Sequence, residues 1–386
     1  MPIPAQPGRC PIGANDDTSP RQPWLEDLAG QVRLNCQRSD AEVAGHFSLC
    51  GLLLRLRNLY KWEHGLPPWR EEDSAPMLEW VSQREDLWLE LLGQEPQSLS
   101  LEGRTIDPFD TASLNVRLQP LGLVYGAGRV GGLLPAFFLG RLEASYTLEG
   151  LKVTEVGAEL GRDILFLPGL AQEGHIFLRR EPLGYLLWDK LADPRPSQAR
   201  FVRQGLAGYG LELGQVLAQP TWEVLGPVLR GEMLAVAWHE LGEATAGLEA
   251  TRLLHWALTQ HPFSEVEHFA RGVKDLLADT GPRGRLAQII AAQARGALGF
   301  YPAWLAGFPR LLFPEIDQAV LDFGKNGDWG RIEEARQAGW QRAKLALERL
   351  APFMAEEGPE ADLRRRLRAQ VIEPLTGRRP RRPAQA

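Results

Sequence analysis

The chain predicts an α+β protein, mostly helical, with one small antiparallel β-sheet inserted between N-terminal and C-terminal helical regions. Three observations carry this. Apolar residues recur at helical spacing up to about residue 96 and again after about residue 196. Between them the period switches, and Leu114, Val116 and Leu118 alternate with polar neighbours as in a strand. The chain has 386 residues, 44% hydrophobic and 24% charged, which is ample for two or three domains with cores of their own.

Element by element, residues 1–22 are polar and Pro-rich and read as a disordered N-terminus with no apolar signal-peptide core. Residues 23–96 form the N-terminal helical region. Its best helix is expected over 41–64, with Asp40 as N-cap and Gly65 and Pro67-Pro68 ending it. Leu49, Leu52, Leu56 and Leu59 share one stripe of that helix, so burial is expected there. A second helix is expected over 77–93, with Leu78, Val81, Leu87, Trp88 and Leu91 as its apolar contacts. Residues 97–195 form the β-rich region. Within it, 140–148, the pair Glu149-Gly150 and 151–156 read as a hairpin with a tight turn, and 175–179 as a further strand.

Residues 196–352 form the C-terminal helical domain. A long helix is expected over 228–261. Ser264 and Glu267 make a capping box for the next helix, which Gly281-Pro282 stops. Further helices are expected over 286–298, 314–323 and 328–350. Residues 353–386 form an Arg-rich, partly disordered tail. No repeat of 20–50 residues is present.

Composition excludes several classes. A net charge of −6 argues against whole-surface attraction to nucleic acid or anionic lipid. The exception is the tail, where Arg364, Arg365 and Arg366 and then Arg378, Arg379, Arg381 and Arg382 could meet phosphates or an acidic partner. Three cysteines without C-x-x-C spacing fit a reducing cytoplasm better than a disulfide framework. No run of 18 apolar residues exists, so no membrane span is expected. The preference for Arg over Lys reads as genomic bias, and the chain as a soluble, cytoplasmic, bacterial-looking protein.

The motif with the most chemistry is His239-Glu240-Leu241-Gly242-Glu243. A His and a Glu one helical turn apart, with a second Glu beside them, is a pattern that metal sites on helices use. Position 243 lacks the second His of the zinc-protease pattern, so a carboxylate-rich site for zinc, iron or manganese is the expected form. His239 and Glu243 would be ligands and Glu240 the catalytic acid–base group. The same residues also suit an ordinary amphipathic surface helix. Against that, Ala235, Gly242, Ala246 and Ala250 flank the stripe, and small residues let a second helix approach closely.

Glu63 ends the leucine stripe of the 41–64 helix. It is either paired with a cation or, with His64, adds ligands to the same site. Glu265-x-x-His268 has the spacing of di-iron bundles but falls in a capped first turn, where Glu suits the helix dipole. Gly126-Ala127-Gly128-Arg129-Val130-Gly131 matches G-x-G-x-x-G, yet no helix follows it, so it reads as a glycine-rich β-loop. Nucleophile and phosphate-loop templates are absent, and Cys50 reads as an inert core thiol. Twelve dispersed tryptophans read as packing.

Four stretches resemble an uncharacterised bacterial family of unknown function. They are HFSLCGLLLRLRNLYKWEHGLPPW from His46, YGAGRVGGLLPAFFLGRL from Tyr125, WHELGE from Trp238 and GVKDLLADT from Gly272. The resemblance spans about residues 25–350 and implies no activity, cofactor or catalytic residue. The residues themselves support a metal-binding helical protein, hydrolase or oxidoreductase. The competing reading is a non-catalytic adaptor or assembly factor that binds a protein partner through its Trp- and Leu-rich helices.

Overall fold

The structure, a computed structural model, describes residues 23–130, 134–356 and 360–377. The expected disorder of residues 1–22, Gly131 of the glycine run and the basic residues beyond 377 lie outside the described residues.

The first half comprises helices α1 (Pro23–Ala44), α2 (Leu49–Glu63), α3 (Ser74–Leu91) and α4 (Thr111–Leu118) around seven strands. Strands β1 (Leu99–Leu101) and β2 (Arg104–Ile106) pair as a small separate ribbon. Strands β3 (Leu123–Val130), β4 (Leu134–Leu148), β5 (Leu151–Arg162), β6 (Gly169–Gln172) and β7 (His175–Arg179) form one five-stranded sheet in the order β3-β4-β5-β7-β6. Its pairs are antiparallel except β5–β7, which is parallel. A Cβ on Gly128 of β3 would lie 3.4 Å from the side chains of Leu170 and Gln172 on β6, so the two edges approach and the sheet curls nearly shut.

This corrects the expectation of a single small antiparallel sheet. The β4–β5 hairpin turns at Glu149 and Gly150, both at positive φ (50° and 90°), which is the turn sense that matches strand twist. Register shifts in β4–β5 around Gly140 bend the pair, as bulges do. Gly126 has a steric reason, because a Cβ there would lie 2.1 Å from the Phe138 ring. The glycine-rich run is accordingly strand and not a phosphate loop.

Several local expectations are corrected. Leu114, Val116 and Leu118 lie on α4, not on a strand. Leu114 and Leu118, one turn apart, are fully buried while Val116 is 75% exposed, and Asp110 caps the helix by accepting from Ser113 N at 3.0 Å. The 41–64 helix is broken. α1 ends at Ala44, and α2 restarts after Ser48, whose hydroxyl accepts from Gly51 N. Asp40 is no N-cap but a buried residue of α1 that accepts from Ile164 N at 2.7 Å. On α2 only the second half of the leucine stripe is covered. Leu56 and Leu59 are buried, whereas Leu49 is 73% exposed and Cys50 is exposed and not a core thiol.

The second half is helical: α5 (Arg180–Ala192), α6 (Ala199–Gly208), α7 (Leu213–Ala218), α8 (Trp222–Thr245), α9 (Leu248–Gln260), α10 (Glu265–Thr280), α11 (Arg285–Ala291), α12 (Arg295–Trp304), α13 (Gly307–Leu312), α14 (Glu315–Asn326), α15 (Trp329–Leu350) and α16 (Glu360–Leu367). The expected 228–261 helix divides into α8 and α9 at Gly247, whose φ of 96° no continuing helix allows. No helix among the described residues is long and apolar enough to cross a membrane.

The sheet lies between two helical layers. On one side Leu28, Val32 and Cys36 of α1 pack on Tyr125, Phe137 and Leu139. On the other, Val153, Ile176 and Leu178 join the large core built by α5, α8, α10 and α12. Under the sheet runs a buried ionic network. Glu159 accepts from Arg179 Nε at 2.6 Å and forms an ion pair with Arg162, whose Nε lies 2.7 Å away, and Arg162 Nη2 donates to Glu181 at 2.7 Å. Asp163 accepts from Phe137 N at 2.9 Å. Burial, reinforced by Asp163, pushes the Asp40 carboxyl well above its ordinary range.

Candidate metal centre

Helix α8 starts at Thr221, whose hydroxyl accepts from Val224 N, and it packs against β6, β7, α5 and α10. Helix α10 starts at Ser264, which accepts from Glu267 N at 3.3 Å, while the Glu267 carboxylate accepts from Phe263 N at 2.9 Å. The two helices touch backbone to side. A Cβ on Gly242 would lie 2.1 Å from the Ala278 carbonyl oxygen. The small residue beside the His–Glu stripe therefore does what its size allows and brings α10 against that stripe.

His239, Glu243, Lys274, Asp275 and Asp279 meet at this crossing. The His239 imidazole donates from Nδ1 to Asp279 Oδ1 at 2.8 Å, and its Nε2 faces Glu243 Oε1 at 3.6 Å. Lys274 Nζ donates to the other Glu243 oxygen. One ligand atom each from His239, Glu243 and Asp275 lie within 4.8 Å of one another, and all three residues are partly buried.

The electrostatics are lopsided. Burial works against the imidazolium of His239, but Asp279 and Glu243 overcome it and hold its pKa well above the ordinary value. Burial also opposes ionisation of Glu243, yet His239 and Lys274 bring it down to about 2. Burial pushes Asp275 up to about 6, helped by Glu243 and Asp279. Glu240, about 100° round α8 from His239, is pushed by burial to about 7. It reaches over β6, where a Cβ on Gly169 would lie 2.6 Å from its Oε1. Neither Glu240 nor Asp275 is held by a hydrogen bond among the described residues. Beside Asp279 stands the fully buried Tyr301, whose hydroxyl burial and the Asp279 carboxylate together push well above its ordinary range. The cluster thus holds more negative charge than its two cations, His239 and Lys274, balance.

The structure brings His239 and Glu243 together, with Glu240 in electrostatic reach. It does not bring Glu63 or His64 to them, which corrects their assignment as added ligands. Glu63 accepts from Arg84 Nη2 at 2.6 and 2.7 Å and from Trp80 Nε1 at 2.9 Å, because α2 packs on α3. His64 Nδ1 lies 2.8 Å from the Tyr60 carbonyl of its own helix. Glu265 and His268 line a separate cleft of about 540 Å³, which Asp275 also borders. In the described part of the basic tail, Arg365 pairs with Asp362 and Arg366 with Glu356.

Sequence reasoning missed Lys274, Asp275 and Asp279. A signal was present: Asp275 and Asp279 sit one turn apart on a helix whose intervening residues Leu276, Leu277 and Ala278 are buried.

Fold and cluster together define a two-part α+β protein: a curled mixed sheet with N-terminal helices, and a helical half carrying a His–carboxylate centre. Two family models match, the N-terminal domain of a family of unknown function (DUF6866) over residues 27–179 and its C-terminal domain over 184–374. The chain belongs to that family. The boundary between the two domains falls where β7 passes into α5. No curated protein and no solved structure matches the chain.

Proposed function

We propose that the protein binds a divalent cation between His239 Nε2, Glu243 Oε1 and Asp275, and that this centre serves a hydrolytic reaction. One observation carries the reading, the 3.6 Å separation of His239 Nε2 and Glu243 Oε1 with Asp275 alongside. Two ligands about 2.1 Å from one ion at a tetrahedral angle lie about 3.4 Å apart. The second support is Asp279, which accepts a hydrogen bond from Nδ1–H, so that Nε2, once its own proton is released on metal binding, is the nitrogen left to coordinate, the arrangement that orients metal-binding histidines. One imidazole with two carboxylates suits zinc, iron or manganese.

A bound cation would acidify a coordinated water and neutralise the surplus carboxylate charge. Glu240, with a pKa of about 7, is matched to accept and return a proton near neutrality. That match favours hydrolysis over redox use of the same ligands.

The test is elemental analysis by mass spectrometry of the untagged, chelator-free protein beside a His239→Ala/Glu243→Ala double variant. Near-stoichiometric metal in the parent, lost in a folded variant, supports the reading. No metal in either protein after incubation with zinc, iron and manganese overturns it. A second reading, a non-catalytic adaptor, rests on α2, where Leu49, Leu53 and Leu54 are 73%, 46% and 50% exposed.

A further inference from the structure

Lys274 is the only lysine or arginine that a described contact brings to Glu243, Asp275 or Glu240. Its ammonium donates to Glu243 and lowers the energy of ionised Asp275 and Glu240 as well. It is therefore set among the carboxylates whose charge a divalent cation would balance. It is also largely buried, with its side chain 15% exposed, and so is not a surface lysine sharing its charge with solvent. Its backbone neighbour Asp275 is one of the three candidate ligands, so helix α10 supplies a ligand and a tethered cation to the same spot.

The geometry points to Lys274 as the resident counter-ion of the centre, a built-in competitor that a divalent cation must displace from Glu243 before it binds. This rests on the cation reading above and adds to it a residue that sets the affinity. With Lys274 in place, Glu243 offers only Oε1 to an incoming ion, since Oε2 is engaged. When the ammonium swings out toward solvent, both oxygens become available and one positive charge leaves the neighbourhood. Both changes favour a doubly charged ion. A lysine suits this role because its ammonium is a compact charge on a flexible four-carbon stem, able to leave without moving the helix. A site of this design fills only when the free cation is abundant enough to outcompete its own side chain.

The experiment is calorimetric titration of the full chain with manganese and with zinc, comparing the parent with Lys274→Met, Lys274→Gln and Lys274→Arg. The expected result is binding on the order of tenfold tighter in Lys274→Met and Lys274→Gln, with Lys274→Arg staying as weak as the parent. Far-ultraviolet circular dichroism and thermal melts confirm that each variant is folded, and Lys274→Gln, which keeps a donor to Glu243, covers the case in which Lys274→Met is not. Equal affinity in parent and charge-removing variants overturns the proposal. So does weaker binding, which would make Lys274 a support that holds Glu243 in place. If no variant and no parent binds either ion, the cation reading itself fails, a result distinct from the parent binding while the variants leave its affinity unchanged.

Discussion

At the scale of single residues, the candidate centre exists because of one glycine. With Gly242 lacking a Cβ, the α8 and α10 backbones approach until His239 and Asp279 can hydrogen-bond. An alanine there would press on a backbone carbonyl, which cannot rotate away as a side-chain tip can. Gly242→Ala is expected to cost about 2–3 kcal/mol through overpacking, although alanine is intrinsically the better helix former by about 1 kcal/mol. Gly30, inside α1 with nothing within 4 Å of its would-be Cβ, supplies the contrast. Gly30→Ala is expected to be neutral or stabilising by up to about 1 kcal/mol. Urea unfolding of the two variants should give opposite signs, and equal effects would mean that the α8–α10 contact is not tight. The Gly242 constraint was legible in the sequence as a run of small residues beside the His–Glu stripe. Which helix would fill the space was not, because helical spacing fixes faces and leaves partners open.

At the scale of elements, the curled sheet is joined to α5 by ions and not by apolar contact alone. Arg162 and Arg179, both almost fully buried, stand between Glu159, Asp163 and Glu181. Removing one partner of a buried pair leaves the other charge uncompensated, so Arg179→Met is expected to destabilise by about 3–5 kcal/mol. The double variant Arg179→Met/Glu159→Gln should recover part of that loss in urea unfolding. An Arg179→Met protein as stable as the parent would mean that the pair is not ionised. The sequence outlined the hairpin and β7 because turn glycine and alternation are local signals. It misread α4, where Leu114 and Leu118 fit both a strand period and one helical turn; Asp110, the cap, was the discriminating residue. It also joined α1 to α2 and α8 to α9, because the apolar period continues across both breaks while Ser48 and Gly247 interrupt the backbone. Glu63 was legible only as a choice between a cation partner and a site, and Arg84, some twenty residues on, decides it.

At the scale of the whole molecule, the charge imbalance around His239 ties stability to pH. Glu240 and Asp275 have folded pKa values near 7 and 6, above their ordinary values of 4.5 and 3.8. An acid whose pKa is raised on folding contributes stability that is present below its unfolded pKa and lost as pH climbs to the folded one. His239, also raised, contributes below its ordinary value of 6.5 and loses that contribution at higher pH. Glu243 acts oppositely, being lowered to about 2 from 4.5, so its contribution is present above pH 4.5 and fades only in strong acid. The signs add to a cluster that is most comfortable in mild acid and increasingly strained from pH 5 to 8. Glu240→Gln removes one of these rising parts. It should be more stable than the parent at pH 8 by about 1–2 kcal/mol after discount for its partial exposure, and nearly equal at pH 5. Thermal unfolding at pH 5, 6, 7 and 8 reads this directly. A parent curve with no advantage for Glu240→Gln at pH 8 would remove Glu240 from the charged cluster. If manganese or zinc binds at His239, Glu243 and Asp275, saturating either ion should flatten the parent's decline toward the Glu240→Gln curve. The added charge would then relieve the repulsion that Lys274 alone only partly balances.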